Sequence, residues 1–200
     1  MRFFMATSTK LESVLTAIDQ KNAQDPNTVE IDNCSVAKEL LYGQRMSQRL
    51  QSFASEASEH LQIACRAQHI QRWAIARKDY PMDRAGYKRW RSDLAKFHAE
   101  LTAEIMAEHD YTDADCERVK HLLQKKQLKR DAETQTLEDV ACLVFLEFHL
   151  DDFASGHSDE KVIDIVRKTW AKMSSDGHAA ALQLSFSDAM GALIQKALNP

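Results

Sequence analysis

Apolar residues recur along this chain with a period near 3.6 and nowhere alternate as they would on a half-buried strand. The pattern predicts helices. Ser8 or Thr9 opens the first, to about Gln20, and Asp25-Pro26-Asn27 breaks it. Residues 21–34 read as a polar linker. Ser35 is the expected N-cap of a helix to about Phe53, and Ser55 that of a helix to about Ile75. In the latter, Leu61, Ala64, Cys65, Ile70 and Trp73 keep the helical period. Tyr80-Pro81-Met82-Asp83 is a turn, because the residue before proline avoids the helical region. A long helix is expected over about 84–109, and one capped by Asp113 over about 114–126. Ser158 opens a helix to about Met173, and two short helices, about 177–184 and 188–198, finish the chain.

Val140 to Leu146 is apolar without a break, which leaves no face of that stretch for water. A helix over 136–153, with Thr136 and Asp139 as a variant capping box, is therefore expected to be central and buried. The expected fold is all-α: a single compact multi-helix domain spanning 1–200. Its core would be 35–153, preceded by an N-terminal helix and linker (1–34) and followed by C-terminal helices (158–200).

Composition agrees with this. Five Gly and three Pro in 200 residues are too few for a turn-rich β fold, and 44% hydrophobic residues suffice for a sizeable core. The net charge of -4 predicts solubility, not a particular partner. Cys34, Cys65, Cys116 and Cys142 lack zinc-ribbon or redox spacing, and reduced thiols suggest a cytoplasmic protein. The opening Met-Arg-Phe-Phe-Met-Ala-Thr is too short an apolar run for a signal peptide, and no stretch approaches the roughly 20 apolar residues of a membrane span.

Chemistry is concentrated in a few places. Glu138 and Asp139 near the start of the central helix are either caps or part of a site, and His69 and His98 on other expected helices are able to meet them. Arg66, His69 and Arg72 are spaced three apart. On one helix they would present two guanidiniums around an imidazole, either a solvated face paired with acids or an anion pocket. Residues 72–91 hold seven basic residues, Arg84 among them, against two acidic ones, with Trp73, Tyr80, Tyr87 and Trp90 interleaved. Such a segment binds phosphates and stacks bases, or forms a core stripe with arginines outside. No Glu precedes a His by three residues and no His-Glu-x-x-His occurs, so ferritin-like and zincin sites are excluded.

Several segments resemble a family of uncharacterised bacterial and fungal proteins, some labelled glutamyl-tRNA synthetase. They are Glu39-Leu-Leu-Tyr-Gly-Gln-Arg-Met46, Arg66-Ala-Gln-His-Ile-Gln-Arg-Trp73, residues 80–91, Lys96-Phe-His-Ala-Glu100 and residues 137–147. No class I synthetase signature accompanies them. The chain also resembles, more distantly, the HD-domain phosphohydrolases, helical enzymes whose histidines and aspartates hold metal. That resemblance implies an HD-like core over 35–153 and a divalent metal on His69, His98 and Asp139. Ile70 stands where the doublet Asp would be, and the early His position falls near Tyr42 in a helix with no His.

Two functions follow as expectations. One is a metal-dependent hydrolase of a phosphorylated small molecule or nucleotide, with metal-bound water as nucleophile. The other is a non-catalytic HD-like module holding an anionic ligand or RNA. The expected ligand contacts are Tyr42, Arg45, Arg66, Arg72, Arg84 and Lys126. No membrane partner is expected.

Overall fold

A computed structural model describes residues 9–199. Ser8 and the opening apolar run lie outside them. The described residues form ten α-helices, two 3-10 turns and one small hairpin, so the all-α expectation stands.

Helix α1 (Lys10–Asn22) is closed at its start by Thr9, whose hydroxyl accepts from Glu12 N while the Glu12 carboxylate accepts from Thr9 N. Residues 21–34 are not a plain linker. Strands β1 (Thr28–Ile31) and β2 (Cys34–Ala37) pair antiparallel, Thr28 opposite Ala37 and Ile31 opposite Cys34. Asp32 and Asn33 make the turn with φ of 49° and 63°, the paired left-handed geometry of a two-residue hairpin. The strands are short and mostly exposed on both faces, so no alternation betrays them.

Ser35 lies in β2 and caps nothing. Helix α2 (Lys38–Phe53) starts without a local side-chain cap; its Glu39 N–H is taken at 3.1 Å by Asp25 Oδ2, from the turn after α1. Helix α3 (Glu59–Arg66) is capped by Ser58 rather than Ser55 and stops nine residues before the expected Ile75. Past Arg66 the bonding tightens, Gln68 N to Cys65 O and Ile70 N to Ala67 O, and Gln71, at φ 47° with its N–H on Asn22 Oδ1, then turns the chain. Residues 67–83 become a loop with turns at Arg72–Ala74 and Arg77–Asp79. The loop is fastened to helix α4 (Arg84–Glu108) by His98 Nδ1 on Ile70 O (2.7 Å) and by Trp90 Nε1 on Ile75 O (2.9 Å). Asp83 caps α4 through Gly86 N, and only glycine fits there, because a Cβ on Gly86 would collide with the Pro81 carbonyl.

Thr112, not Asp113, caps α5 (Asp113–Leu123). The following loop carries Lys125, Gln127 and Lys129 at positive φ, which is uncommon for such residues. Lys125 reaches Glu138, and Lys129 Nζ donates to Ala171 O, so contacts on both sides hold the loop. Helix α6 (Ala132–Phe148) is capped by Asp131 and not by Thr136, so it begins four residues early and breaks at His149 instead of running to 153. Helices α7 (Leu150–Ser155), α8 (Asp159–Trp170), α9 (Ser175–Ala181) and α10 (Asp188–Leu198) complete the chain.

The central helix is buried on opposite sides, as its unbroken apolar run requires. Val140 and Val144 pack into one core with Ile18, Met46, Ile63 and Met106 from the N-terminal helices. Cys142, Leu143 and Leu146 pack into a second with Leu150, Val162, Val166 and Met190. Helix α6 is thus a wall between two cores. No helix among the described residues is long and apolar enough to cross a membrane.

Candidate functional site

A cleft opens beside the start of α2 and the loop that follows α3. The loop at 67–83 brings His69 and Arg72 to it, since the backbone there is no longer helical. His69 stacks on Tyr42 of α2, ring centroids 3.9 Å apart and planes 13° apart. Arg72 donates from one terminal nitrogen to His69 Nε2 at 3.0 Å. Nε2 is therefore an acceptor and the proton sits on Nδ1, which donates to Glu39 Oε2 at 3.2 Å. Arg72 also lies 4.0 Å from the other Glu39 oxygen and over the Trp90 ring. Glu39, His69 and Arg72 form a closed chain of contacts on one wall.

Two adjoining lobes open there, about 320 and 370 Å³, sharing Gln68, His69, Arg72, Arg91 and Lys125. The smaller adds His98, Lys96 and Lys126 and has no carboxylate on its walls. The larger adds Tyr42, Tyr87, Phe145 and His149, the cations Lys38 and Lys172, and the acids Glu39 and Glu138. Cations outnumber acids across the whole cleft. Burial works to raise Glu138, but Lys125 and Lys172 outweigh it and hold that carboxyl below its ordinary value. Among the described residues Lys38, Arg91, Lys96 and Lys126 have no carboxylate partner. Arginines that hold the fold do: Arg118 is paired to Asp131 and Glu133.

Glu39 and His69 titrate away from their ordinary values in opposite directions. Burial pushes the Glu39 carboxyl up to about 7, against the opposing pull of Arg72. Burial, then Arg72, holds His69 well below its ordinary value, so its ring is neutral. Glu39 binds its proton more tightly in the folded state than in the unfolded chain. Its contribution to stability is therefore full below pH 4.5 and lost as pH rises through about 7. Glu39→Gln is expected to flatten the fall in stability between those values, measured by urea unfolding at several pH values; an unchanged slope would assign the fall to other groups.

The cleft collects Tyr42, His69, Arg72, His98 and Lys126 of the expected site residues. It excludes four others. Arg66 forms a two-point pair with Asp19, both contacts 2.7 Å, because α3 ends there and its side chain turns toward α1. Arg45 lies over the Phe148 ring. Arg84 is exposed at the start of α4 and lines neither lobe. Asp139 is the main correction. Its carboxylate accepts from Ser174 N (2.8 Å), Ser174 Oγ (2.6 Å) and Gln135 Nε2 (3.1 Å), and it lines neither lobe.

The three residues expected to hold a divalent metal therefore do not converge. Arg72 occupies the free nitrogen of His69, and Asp139 is engaged in tying α6 to α9. Among the described residues no group of three or more His, Cys, Asp or Glu is arranged to hold a metal ion. The donor set does not fit the metal, and no chemistry is routed through one. All four cysteines are unpaired, and only Cys34 is exposed.

Glu39, Arg91, Lys125, Lys38 and Lys172 are cleft residues that the sequence reading did not assign to the site. Arg91 was visible as part of the basic segment. Glu39 reads as an ordinary first-turn acid, and only the remote cap from Asp25 explains its burial.

Among protein-family models, one described as a domain of unknown function (DUF4202) matches residues 12–194. No curated protein and no solved structure matches the chain.

Proposed function

The chain belongs to the DUF4202 family, whose description names no activity, and we propose from the cleft itself that the protein binds a phosphorylated small molecule or nucleotide. The observation that carries this reading is the set of cations around His69 that no carboxylate neutralises: Arg91, Lys96 and Lys126, with Lys38 at the far end. All four are solvent-exposed, so they carry no burial cost; gathered around one concavity they raise the local concentration of anions instead. Guanidinium groups at Arg72 and Arg91 suit the oxygens of a phosphoryl group. Tyr42, Tyr87 and Phe145 in the larger lobe offer flat apolar surface to the rest of the ligand. The resemblance to HD-domain phosphohydrolases agrees with a phosphorylated ligand, with Asp139 as the departure.

A hydrolytic role is the second reading, and Glu39 favours it. A carboxyl pushed up to about 7 in a cleft is poised to exchange a proton near neutral pH. In that role ionised Glu39 takes the proton of a water as the water oxygen bonds to phosphorus. The bond from phosphorus to the ester or anhydride oxygen breaks, and that oxygen leaves with the electron pair and is protonated from solvent. Arg72 and Lys125 stabilise the charge that develops.

Thermal shift and calorimetry with sugar phosphates, nucleoside mono- to triphosphates and an RNA oligonucleotide test the reading. Small phosphorylated molecules are expected to raise the melting temperature, and Arg91→Ala to weaken that binding about tenfold or more, the scale of one lost charged hydrogen bond. Binding of RNA alone, with no small molecule retained, would transfer the site to the exposed face around Arg84. Glu39→Gln is expected to remove any turnover while leaving binding in place.

A further inference from the structure

We propose that His98 selects, in the acid-free lobe of the cleft, a phosphoryl group that carries an O–H, and rejects anions of the same shape that carry none. The inference rests on the anion-binding reading above and names what that site discriminates.

The smaller lobe is a cavity of donors. Arg72, Arg91, Lys96, Lys125 and Lys126 line it, and no Asp or Glu does. A site made only of such groups would take any small oxyanion. Two wall groups are of the opposite kind, Gln68, whose Oε1 is a buried acceptor without a hydrogen-bond partner, and the ring of His98. His98 is 4% exposed and sits on this lobe, and its Nδ1 donates to Ile70 O at 2.7 Å. The other nitrogen, Nε2, is therefore the lone-pair nitrogen, and it has no hydrogen-bond partner. The ring stays neutral, since burial and then the neighbouring His69 push it down to about 3. A buried acceptor left unpaired is uncommon and costly, yet none of the surrounding cations donates to it.

The ligand that suits these walls accepts from several cations and donates at least once, to His98 Nε2. Hydrogen phosphate, or a terminal phosphoryl group bearing its proton, does both. Sulfate has the same shape but only acceptor oxygens, one of which would face the His98 lone pair. Unlike sulfate, arsenate shares the O–H of phosphate.

Calorimetry on the full chain near neutral pH and at fixed ionic strength, with inorganic phosphate, arsenate and sulfate, tests this. Phosphate and arsenate are expected to bind, and sulfate to bind at least about tenfold more weakly, the scale of an acceptor left unpaired against a mismatched ligand. His98→Phe keeps a ring and removes this acceptor while Gln68 remains, so the preference is expected to fall several-fold. The wild-type comparison decides whether the lobe discriminates even if that variant fails to fold, and Gln68→Leu, expected to keep most of the preference, separates His98 from Gln68. Equal affinity for sulfate and phosphate in the wild type overturns the role of His98 and leaves the anion-binding reading standing. A preference that survives undiminished in a folded His98→Phe protein does the same. If phosphorylated molecules bind but none of the three anions does, this lobe is not the phosphoryl site and the proposal falls. If nothing anionic binds at all, both readings fall.

Discussion

A loss of about 2–5 kcal/mol is the expected result of Leu143→Ala, the usual range for truncating a fully buried leucine. Leu143 is 0% exposed and sits on the face of α6 turned to the C-terminal helices. The cost has two parts, the lost transfer of apolar surface from water and the cavity that remains. That cavity cannot close easily, because Val140 and Val144 on the opposite side of the same helix are locked into the other core. Moving α6 to fill one side opens the other. Urea unfolding measures the effect, and at roughly 2–4 °C per kcal/mol for a chain of this size the melting temperature drops visibly too. A loss under about 1 kcal/mol would mean that α6 is able to shift, and that the wall between the cores is soft.

Asp139→Ala is expected to destabilise the protein by roughly 2–4 kcal/mol, without weakening a ligand in the cleft. The variant removes three hydrogen bonds to a 2%-exposed carboxylate and leaves Ser174 N without its partner. Helix α9 has been packed hard onto this group: a Cβ on Gly177 would lie 2.6 Å from Asp139 Oδ1. Loss of the carboxylate should therefore release α9 first, seen as lost amide protection at Ser175–Ala181 before the rest. If Asp139→Ala instead left stability intact and abolished ligand or metal binding, the carboxylate would belong to the functional site after all.

The sequence carried the helices well wherever a helix had its own cap and its own apolar stripe. Arg84–Glu108 and Asp188–Leu198 fall almost where their patterns put them. It failed where distant groups decide. The Leu61–Trp73 periodicity continues past Arg66, but the helix gives way to tighter turns at 67–70, and Asn22 then holds Gln71 in a left-handed conformation. With the helix ended, Arg66 pairs with Asp19 away from His69, so the expected face of two arginines around an imidazole does not exist. The pairing of His69 with His98 on one cleft survived, because Ile70 ties the loop to α4 through His98 itself. Asp139 was misplaced for a related reason. A carboxylate at the start of a buried helix suits either a site or a tie, and its partner Ser174 lies 35 residues downstream with nothing local to announce it.

The wall formed by α6 also fixes when the cleft comes into being. Proteins emerge from synthesis N-terminus first, and early segments fold before later ones exist. The first core draws only on residues up to α6, so it is complete once that helix has appeared. The larger lobe is not, because Ile165, Thr169 and Lys172 form part of its lining. Until α8 docks against Cys142 and Phe145, that lobe is an open apolar face on a half-finished protein. The smaller lobe, lined by residues 68–126, thus forms early, and the larger lobe is completed only when α8 and Lys172 arrive.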